Sequence, residues 1–231
     1  MTETVVTRSA DPAFITKVEV KSNKEGVVNV ANGVEQFTYY ESVLQDSIRA
    51  TVIFNDSGDT INGKTAVDGL PIVGQEEVTL EFEDNNGNTI EIIMYVNKVT
   101  PLLDESTKSM VQLDLVSKEL ILNEKIRVNE RFDGKISDHI EKILSTSETY
   151  FKTDKEIDIE TTQNNYNFIG NNRKPFYLLN WLSSKAVPEF NSGTKKTAGF
   201  LTYETSDGFY FKSVDALMDN EKNPPVKSLI Y

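Results

Sequence analysis

Hydrophobic and polar residues alternate with a period of two over much of the first half of the chain, which is the pattern of half-buried β-strands. Residues 78–82 read Val-Thr-Leu-Glu-Phe, so their apolar side chains share one face. The same alternation recurs over residues 48–55 and 111–115, and residues 36–42 are rich in aromatic side chains, which favour strands. Such a series of short strands predicts a small antiparallel barrel or sandwich.

A hairpin is predicted where Asn86-Gly87 separates the strand at 78–82 from an apolar run at 90–96. Asn and Gly adopt positive φ at little cost, which suits the central positions of a tight hairpin turn. The uninterrupted apolar stretch Ile92–Val96 is far shorter than the roughly 20 residues that cross a membrane as a helix. We therefore expect no membrane insertion.

The hydrophobic period changes near Ser117, which separates a predicted α/β segment, residues 119–195, from the strands before it. A short helical turn is predicted after Ser117, whose hydroxyl is available as a cap. A clear helical stripe follows, with Asp133 or Ser137 available to cap it. Its members are Ile136, Ile140, Ile143, Leu144 and Ser147. Residues 157–161 predict a further strand.

Residues 166–218 carry the most specific order of signals in the chain. Pro175 fits the first turn of a helix, because its missing N–H would be unpaired there anyway. Pro188 stops that helix, which is therefore predicted over residues 175–187. Two strand-forming runs follow and predict a hairpin; they are residues 199–205 and 208–214.

Composition excludes several classes of function. The 231 residues carry 24 Lys and Arg against 36 Asp and Glu, a formal net charge of −12, which disfavours nonspecific binding to nucleic acid. No cysteine is present, which removes disulfides, thiolate nucleophiles and Cys-ligated zinc. The N-terminus lacks the apolar core of a signal peptide, so we expect synthesis in a cytoplasm.

Candidate catalytic residues are few. His139 is the only histidine, and its helical spacing between Asp138 and Glu141 predicts a solvated position without a catalytic partner. Glu204 and Asp207 flank the predicted hairpin turn, and a glycosidase needs two carboxylates about 5–10 Å apart across a cleft. Because 36 acidic residues make such coincidences frequent, we interpret this pair as a solvated hairpin end. The sequence predicts no catalytic residue, no cofactor and no metal site.

Several stretches of the second half match a known pattern. They are IGNNR-x-PF at 169–176, WL at 181–182, K-x-VP at 185–188 and AGF-x-x-YET-x-x-GF-x-FKS-VD-x-L at 198–217. The pattern resembles the central baseplate hub protein of contractile-tailed phages. That family forms trimeric rings between the tail tube and the cell-puncturing spike, and it is related in structure to the needle hub of type VI secretion. The resemblance is strongest over about residues 117–218.

The resemblance implies an α+β fold, in which an N-terminal antiparallel tube-like β-barrel precedes a small α/β domain and the start of a second, incomplete barrel. The expected divisions are a flexible arm at 1–12, the barrel at 13–118, the α/β middle domain at 119–195 and a hairpin at 196–231 that opens the second barrel. After Asn223-Pro224-Pro225 the chain ends with Val226–Tyr231, which has the composition of a strand. That is too little sequence for a second barrel, so we expect this barrel to be truncated.

The function implied by the resemblance is that of a structural, non-enzymatic subunit of the virion tail baseplate. Its expected partners are other copies of itself in a homotrimer, the tail tube protein, the spike or cell-puncturing protein and the baseplate wedge proteins. DNA would pass through the lumen without specific binding. Two barrels per chain in a trimer would match the sixfold symmetry of the tube to the threefold symmetry of the spike.

Two sets of candidate site residues follow. The subunit-interface candidates are a polar turn and two aromatic residues: Asn171, Asn172, Arg173, Phe209 and Phe211. Helix-entry capping is an equal alternative for the turn, and core packing is an alternative for the aromatic pair, which alternation places on one face of a strand. The lumen candidates are acidic residues of the first-half strands, Glu81, Glu83 and Glu91, because an acidic lumen repels the DNA backbone.

Two other functions remain open. One is the hub of a type VI secretion system or of a phage-tail-like needle, which shares the architecture and differs in context. The other belongs to a different class and is a cell-wall hydrolase or a glycan-binding tail module.

Overall fold

The computed structural model of the chain describes residues 14–23, 26–56, 72–83, 88–105, 108–145, 149–189 and 199–219, and it divides them into two compact units. Unit 1 comprises the described residues up to Tyr40 together with Arg49–Lys118. Unit 2 comprises Glu41–Ile48 together with the described residues from Glu119 onward. The predicted arm at 1–12 and the predicted strand at 226–231 lie outside the described residues.

The described residues of unit 1 form one antiparallel sheet of seven strands in the order β2-β1-β5-β6-β7-β4-β3. The strands are β1 (Phe14–Lys21), β2 (Val27–Asn29), β3 (Val34–Tyr40), β4 (Arg49–Asp56), β5 (Glu77–Glu83), β6 (Thr89–Glu105) and β7 (Lys108–Val116). Because apolar and polar residues alternate along the strands, the apolar side chains share one face of the sheet, and this face forms the core. Its buried residues include Val18, Ala50, Val52, Phe54, Val78, Leu80, Phe82, Ile92, Met94, Leu113 and Leu115.

The sheet of unit 1 curls on itself as a barrel. Phe37 and Tyr39 on the edge strand β3 bring their ring centroids within 5.0 and 5.5 Å of Phe82 on β5. Three strands separate β3 from β5 in the sheet, so only a curled sheet permits these contacts. A short 3₁₀ turn links β2 to β3, and a Cβ at its Gly33 would lie 2.5 Å from the carbonyl oxygen of Asn55 on β4. The predicted N-terminal antiparallel barrel is confirmed.

The predicted hairpin in this barrel is also present. Strands β5 and β6 pair antiparallel, with Glu83 opposite Thr89. The Asn86-Gly87 turn between them lies outside the described residues. Strand β6 runs on well past the predicted end and pairs with β7 along its second half, so one long strand serves two hairpins.

Unit 2 combines four helices with two small sheets. The helices are α1 (Lys118–Lys125), α2 (Ile136–Ser145), α3 (Pro175–Ser183) and α4 (Val214–Leu217). The strands are β8 (Arg131–Phe132), β9 (Glu156–Ile159), β10 (Phe168–Ile169), β11 (Phe200–Glu204) and β12 (Gly208–Ser213). Strands β11 and β12 form the predicted hairpin, β12 pairs in parallel with β9, and β8 pairs with β10. No helix in the described ranges is both long and apolar enough to cross a membrane.

The core of unit 2 collects apolar residues from all parts of its sequence. Its members include Val128, Phe132, Ile136, Ile140, Ile143, Leu144, Phe151, Phe176, Leu179, Leu182, Phe200, Phe209 and Phe211. The stripe predicted on α2 is buried as expected, apart from Ser147, which lies outside the described residues. Because the hairpin shares this core with residues 119–189, the predicted boundary between 195 and 196 does not separate two compact units.

Residues distant in sequence, rather than the predicted neighbours, cap the starts of α2 and α3. The N–H of Ser137 in the first turn of α2 donates to Oγ1 of Thr162 at 3.1 Å, while Asp133 pairs with Arg131 instead. Ser117 precedes α1, but its buried Oγ has no hydrogen-bond partner, so the predicted cap is wrong. A local pattern cannot reveal a cap that tertiary packing supplies.

Helix α3 begins at Pro175, as predicted, and ends at Ser183, four residues before the predicted end. Lys174 precedes the helix and makes no side-chain cap bond. The N–H of Phe176 donates instead to Oδ1 of Asn123 at 2.9 Å. A pair of hydrogen-bonded turns follows Ser183, so the chain remains compact up to Pro188 without completing another helical turn.

We predict that Leu182→Asp lowers the free energy of unfolding by about 4 kcal/mol or more, because Leu182 is fully buried and the variant would bury an unpaired charge. Lys185→Ala on the exposed side should cost less than about 0.5 kcal/mol. Denaturant unfolding of both variants checks the assignment. Equal losses of stability would show that the buried face of α3 is misassigned.

Candidate functional site

The segment 41–48, which connects β3 to β4, is fastened at both ends to the β11–β12 hairpin. The N–H of Ile48 donates to Oε2 of Glu204 at 3.0 Å. The N–H of Ser206 donates to Oε2 of Glu41 at 2.9 Å. Two carboxylates, one from the hairpin and one from the segment, therefore hold this connection in a defined place on unit 2.

The middle of segment 41–48 is a tight turn with an apolar tip. A backbone hydrogen bond of 3.0 Å to the carbonyl oxygen of Ser42 closes the turn. Val43 and Leu44 at its tip are 46% and 79% exposed. After the turn, Asp46 accepts a hydrogen bond from the side-chain amide of Asn180 on α3 at 3.4 Å. The turn therefore presents two apolar side chains to solvent from a position that is held against α3.

A buried charge cluster supports the Glu204 end of this arrangement. The Glu204 carboxylate is buried and forms an ion pair with Nζ of Lys155. The same Nζ lies 3.8 Å from Oε2 of Glu119, which is also buried. The hydroxyl of Thr153 donates to the other oxygen of Glu119 at 2.6 Å. The single ammonium group of Lys155 thus lies close to two carboxylates, so the cluster contains one basic group and two acidic groups.

This environment changes the acidity of Glu204. Burial raises the pKa of Glu204 to about 7, with the nearby charge of Glu119 acting in the same direction and the Lys155 ammonium opposing both. The prediction that Glu204 lies at a solvated hairpin end is wrong, although Asp207 at the tip is exposed. Since Glu204 is committed to Lys155 in the interior, Glu204 and Asp207 do not form the pair that a glycosidase requires.

The prediction for His139 is wrong in the same way. His139 is buried, and its Nε2–H donates to the carbonyl oxygen of Tyr166 at 3.0 Å. Its ring also meets Phe132 and Phe168 edge-on at centroid distances of 5.4 and 5.6 Å. The ring is therefore part of the aromatic core around α2 and is not a solvated side chain.

The polar turn before α3 is exposed, as an interface candidate must be. Asn171 and Asn172 both adopt left-handed backbone conformations, with φ of 48° and 57°, which Asn tolerates better than most residues. The guanidinium of Arg173 lies over the ring of Tyr177 at 5.1 Å. Because Asn123 caps the helix, the side chains of this turn are not needed for helix entry.

The other two interface candidates are placed differently. Phe209 and Phe211 share one face of β12, as alternation predicts, and both are almost completely buried. Phe211 stacks on Phe200 with centroids 4.5 Å apart, and Phe209 packs near Phe176. Their assignment to a subunit interface is therefore wrong, because both rings fill the core of their own unit.

The three lumen candidates share one face of the barrel. Glu81 on β5 stands directly opposite Glu91 on β6, and Glu83 follows on the same side of β5. This face is opposite to the one that forms the core, so the carboxylates reach solvent. Lys17 on β1 stands opposite Glu81 from the other side, which reduces the local repulsion.

Sequence reasoning missed the partners in the buried cluster. Glu119 and Lys155 lie in polar stretches that carry no motif, and only the fold brings them to Glu204. Glu76 was missed as well; it is fully buried and accepts hydrogen bonds from the N–H groups of Val73 and Gly74 at 2.9 and 2.8 Å. Among the described residues, no group of three or more His, Cys, Asp or Glu side chains is arranged to hold a metal ion.

Comparison with known proteins gives similarity of fold without similarity of sequence. No protein-family model matches the chain, and no curated protein matches its sequence. The 43 kDa tail protein of prophage MuSo2 from Shewanella oneidensis has a similar structure, with a TM-score of 0.57 at 13% identity over 85% of this chain and 54% of that protein. The tail protein from Neisseria meningitidis MC58 gives 0.52 at 8% identity over 84% and 49%.

A chain of the half-lidded Francisella PdpA–VgrG complex also has this fold. Its TM-score is 0.51 at 10% identity, and the match covers 93% of this chain and 34% of that one. The present chain thus spans about half the length of the two tail proteins and about a third of the VgrG-complex chain. At these identities the likeness shows a shared α+β fold.

We predict that Glu204→Gln changes how stability depends on pH. The folded pKa of about 7 lies above the ordinary 4.5, so the contribution of Glu204 is complete below about pH 4.5 and is lost as the pH rises through 7. Between pH 4.5 and about 7 the free energy of unfolding of the wild type should fall by up to about 3 kcal/mol more than that of the variant. The variant keeps an acceptor for the N–H of Ile48, so it does not lose this hydrogen bond.

Urea unfolding at several pH values between 4.5 and 8 measures this difference. Glu141→Gln, on the exposed side of α2, is the matched control and should follow the wild type. Parallel curves for the wild type and Glu204→Gln would show that Glu204 titrates as an ordinary carboxyl group.

Proposed function

We propose that this chain is a structural subunit of the hub in the baseplate of a contractile phage tail, where it connects the tail tube to the cell-puncturing spike. The observation that carries this proposal is the fold that two tail proteins, one of them from a prophage, share with most of the chain. The motifs at 169–176 and 198–217, which resemble the hub family, support it from an independent direction. The role is non-enzymatic, which agrees with the commitment of Glu204 and His139 to interior contacts.

In this proposal three copies form a ring. The sheet of unit 1 has β2 and β3 as edge strands, and ring closure is a common way to cover exposed edges. The hairpin at 196–231 opens a second barrel, so that two barrels per chain match the sixfold tube to the threefold spike. The tail tube protein, the spike and the baseplate wedge proteins are the partners, and the virion tail is the location.

The hub of a type VI secretion system or of a phage-tail-like needle is the second candidate. The likeness to a chain of a VgrG complex favours it, because that match extends over nearly the whole chain. Both candidates use the same architecture, and the genes that neighbour this one distinguish them: sheath, tube and capsid genes point to a phage, whereas membrane-complex genes point to secretion.

The acidic face of β5 and β6 lines the lumen in this proposal. A basic lumen would bind DNA phosphates and release counterions, which would favour arrest of the DNA. Carboxylates repel the backbone and keep a hydrated gap. The shared face of Glu81, Glu83 and Glu91 makes such a lining geometrically simple.

We predict that the full-length protein is a trimer. Multi-angle light scattering over a range of concentrations measures the mass directly. A full-length protein that stays monomeric at high concentration would contradict the hub assignment.

We predict that reversing Glu81, Glu83 and Glu91 to Lys slows DNA ejection from assembled particles without reducing trimer formation. The physical reason is the attraction that the new ammonium groups exert on passing phosphates. Reversal of Glu141, Glu156 and Glu189, which are exposed on unit 2, is the control for total charge. Normal ejection kinetics in the β5–β6 variant would remove the lumen assignment.

A further inference from the structure

An exposed surface of unit 2 runs along α3 and continues onto the turn of segment 41–48. Tyr177 and Asn180 are one helical turn apart and share a face of α3. Asn180 donates to Asp46, which holds the Val43–Leu44 turn beside this face. We call the exposed residues Arg173, Tyr177, Asn180, Val43 and Leu44 the α3 surface.

The Arg173 end of the α3 surface is held in place by close packing. A Cβ at Gly170 would lie 2.6 Å from the carbonyl oxygen of Val128, so only glycine fits there. The N–H of Val128 donates to the carbonyl oxygen of Arg173 at 2.9 Å, and Lys174 forms an ion pair with Glu124. Together with its stacking on Tyr177, this leaves Arg173 little conformational freedom to lose on binding.

The other end of the α3 surface is equally well anchored. Glu41 and Ile48 fasten segment 41–48 at its two ends, and Asp46 fastens it between them. The apolar pair at the tip is therefore displayed on a fixed turn. Tyr177 and the stacked Arg173 are of the residue types that are over-represented among those carrying most of the binding energy in protein interfaces, and Val43 and Leu44 add apolar area beside them.

The charges at the two ends of the α3 surface are opposite. Arg173 is exposed and pairs with no carboxylate among the described residues, whereas most other cations of unit 2 are in ion pairs. At the other end, Asp46 and Glu41 flank the apolar turn. A surface with a cation at one end and carboxylates at the other is complementary to a second copy of itself.

We propose that the α3 surface is the contact between neighbouring copies of this chain. The Val43–Leu44 turn of one copy packs on Tyr177 of the next, whose Arg173 faces the carboxylates of Asp46 and Glu41 of the first. Because the contact joins two different parts of the chain, it can repeat head-to-tail around a ring, as the proposed homotrimer requires. Exchanged reciprocally between two copies, the same contact would give a dimer instead. This inference rests on the proposed homotrimer and assigns to it an interface.

Cross-linking tests the contact, since the chain has no cysteine of its own. An affinity-tagged copy with Leu44→Cys is co-expressed with an untagged copy with Tyr177→Cys, and the complex is treated with a short bismaleimide. We expect a covalent dimer of one tagged and one untagged chain. Val73→Cys in place of Leu44→Cys is the matched control, because Val73 is equally exposed, at 79%, and lies in unit 1; it should give no such dimer.

Charge reversal provides the second measurement, by sedimentation velocity on the full-length protein. Arg173→Glu should weaken self-association by about tenfold or more, which corresponds to the loss of about 1.4 kcal/mol. Lys185→Glu, also exposed on unit 2, should leave it unchanged. Unchanged circular dichroism and melting would show that each variant folds.

The outcomes separate this inference from the proposed function. A normal trimer with no mixed cross-link and no effect of Arg173→Glu overturns the α3 contact and leaves the hub proposal standing. A full-length protein that is monomeric overturns both. A mixed cross-link in a protein that sediments as a dimer would show that the α3 contact is exchanged between two copies and does not close a ring of three.

Discussion

The parallel pairing of β12 with β9 is the contact on which the organisation of unit 2 depends. Gly208 opens β12 and stands opposite Glu156, where a Cβ would lie 2.3 Å from the carbonyl oxygen of Glu156. Only glycine lets the two strands meet at this point. The pairing then directs Phe209 and Phe211 into the core and places Glu204 beside Lys155. The hairpin is thereby made part of the unit that begins at Glu119, and it becomes the anchor for segment 41–48.

The sequence predicted this fold wherever burial followed a local period. Alternation located the barrel strands, and the apolar stripe located α2, because in both cases the side chains that face the core repeat along the chain. The burial of His139 and Glu204 was not predicted, because their partners Tyr166 and Lys155 lie 27 and 49 residues away in the sequence. A polar residue is assigned to solvent by any local rule, whereas the fold can bury it next to a donor or a charge. The same reason explains the cap of α2, which Thr162 supplies from outside the helix.

Among the interface candidates, the exposure of the polar turn was predicted correctly and that of the aromatic pair was not, for a related reason. Left-handed Asn residues before a proline helix identify an exposed turn, and the structure places Asn171, Asn172 and Arg173 at the surface. Aromatic side chains give no such indication, since a core and an interface select the same residues. Copies that each carry a net charge of −12 repel one another at long range. Any self-assembly must therefore be driven by short-range apolar contacts and by the few cations that are not already paired.

Unit 2 is discontinuous in sequence, since segment 41–48 belongs to it while the strands on either side of the segment belong to the barrel. During synthesis this segment emerges long before Glu204 and Ser206, which fasten its ends. Its contacts can therefore form only after most of the chain has been made, and their large sequence separation raises the contact order, which correlates with slower folding. A cut after residue 118 would not release a self-sufficient second unit, because the fragment would leave the buried Glu204 without the N–H of Ile48. A boundary chosen for gene fusion or domain exchange therefore has to keep residues 41–48 together with the residues from Glu119 onward.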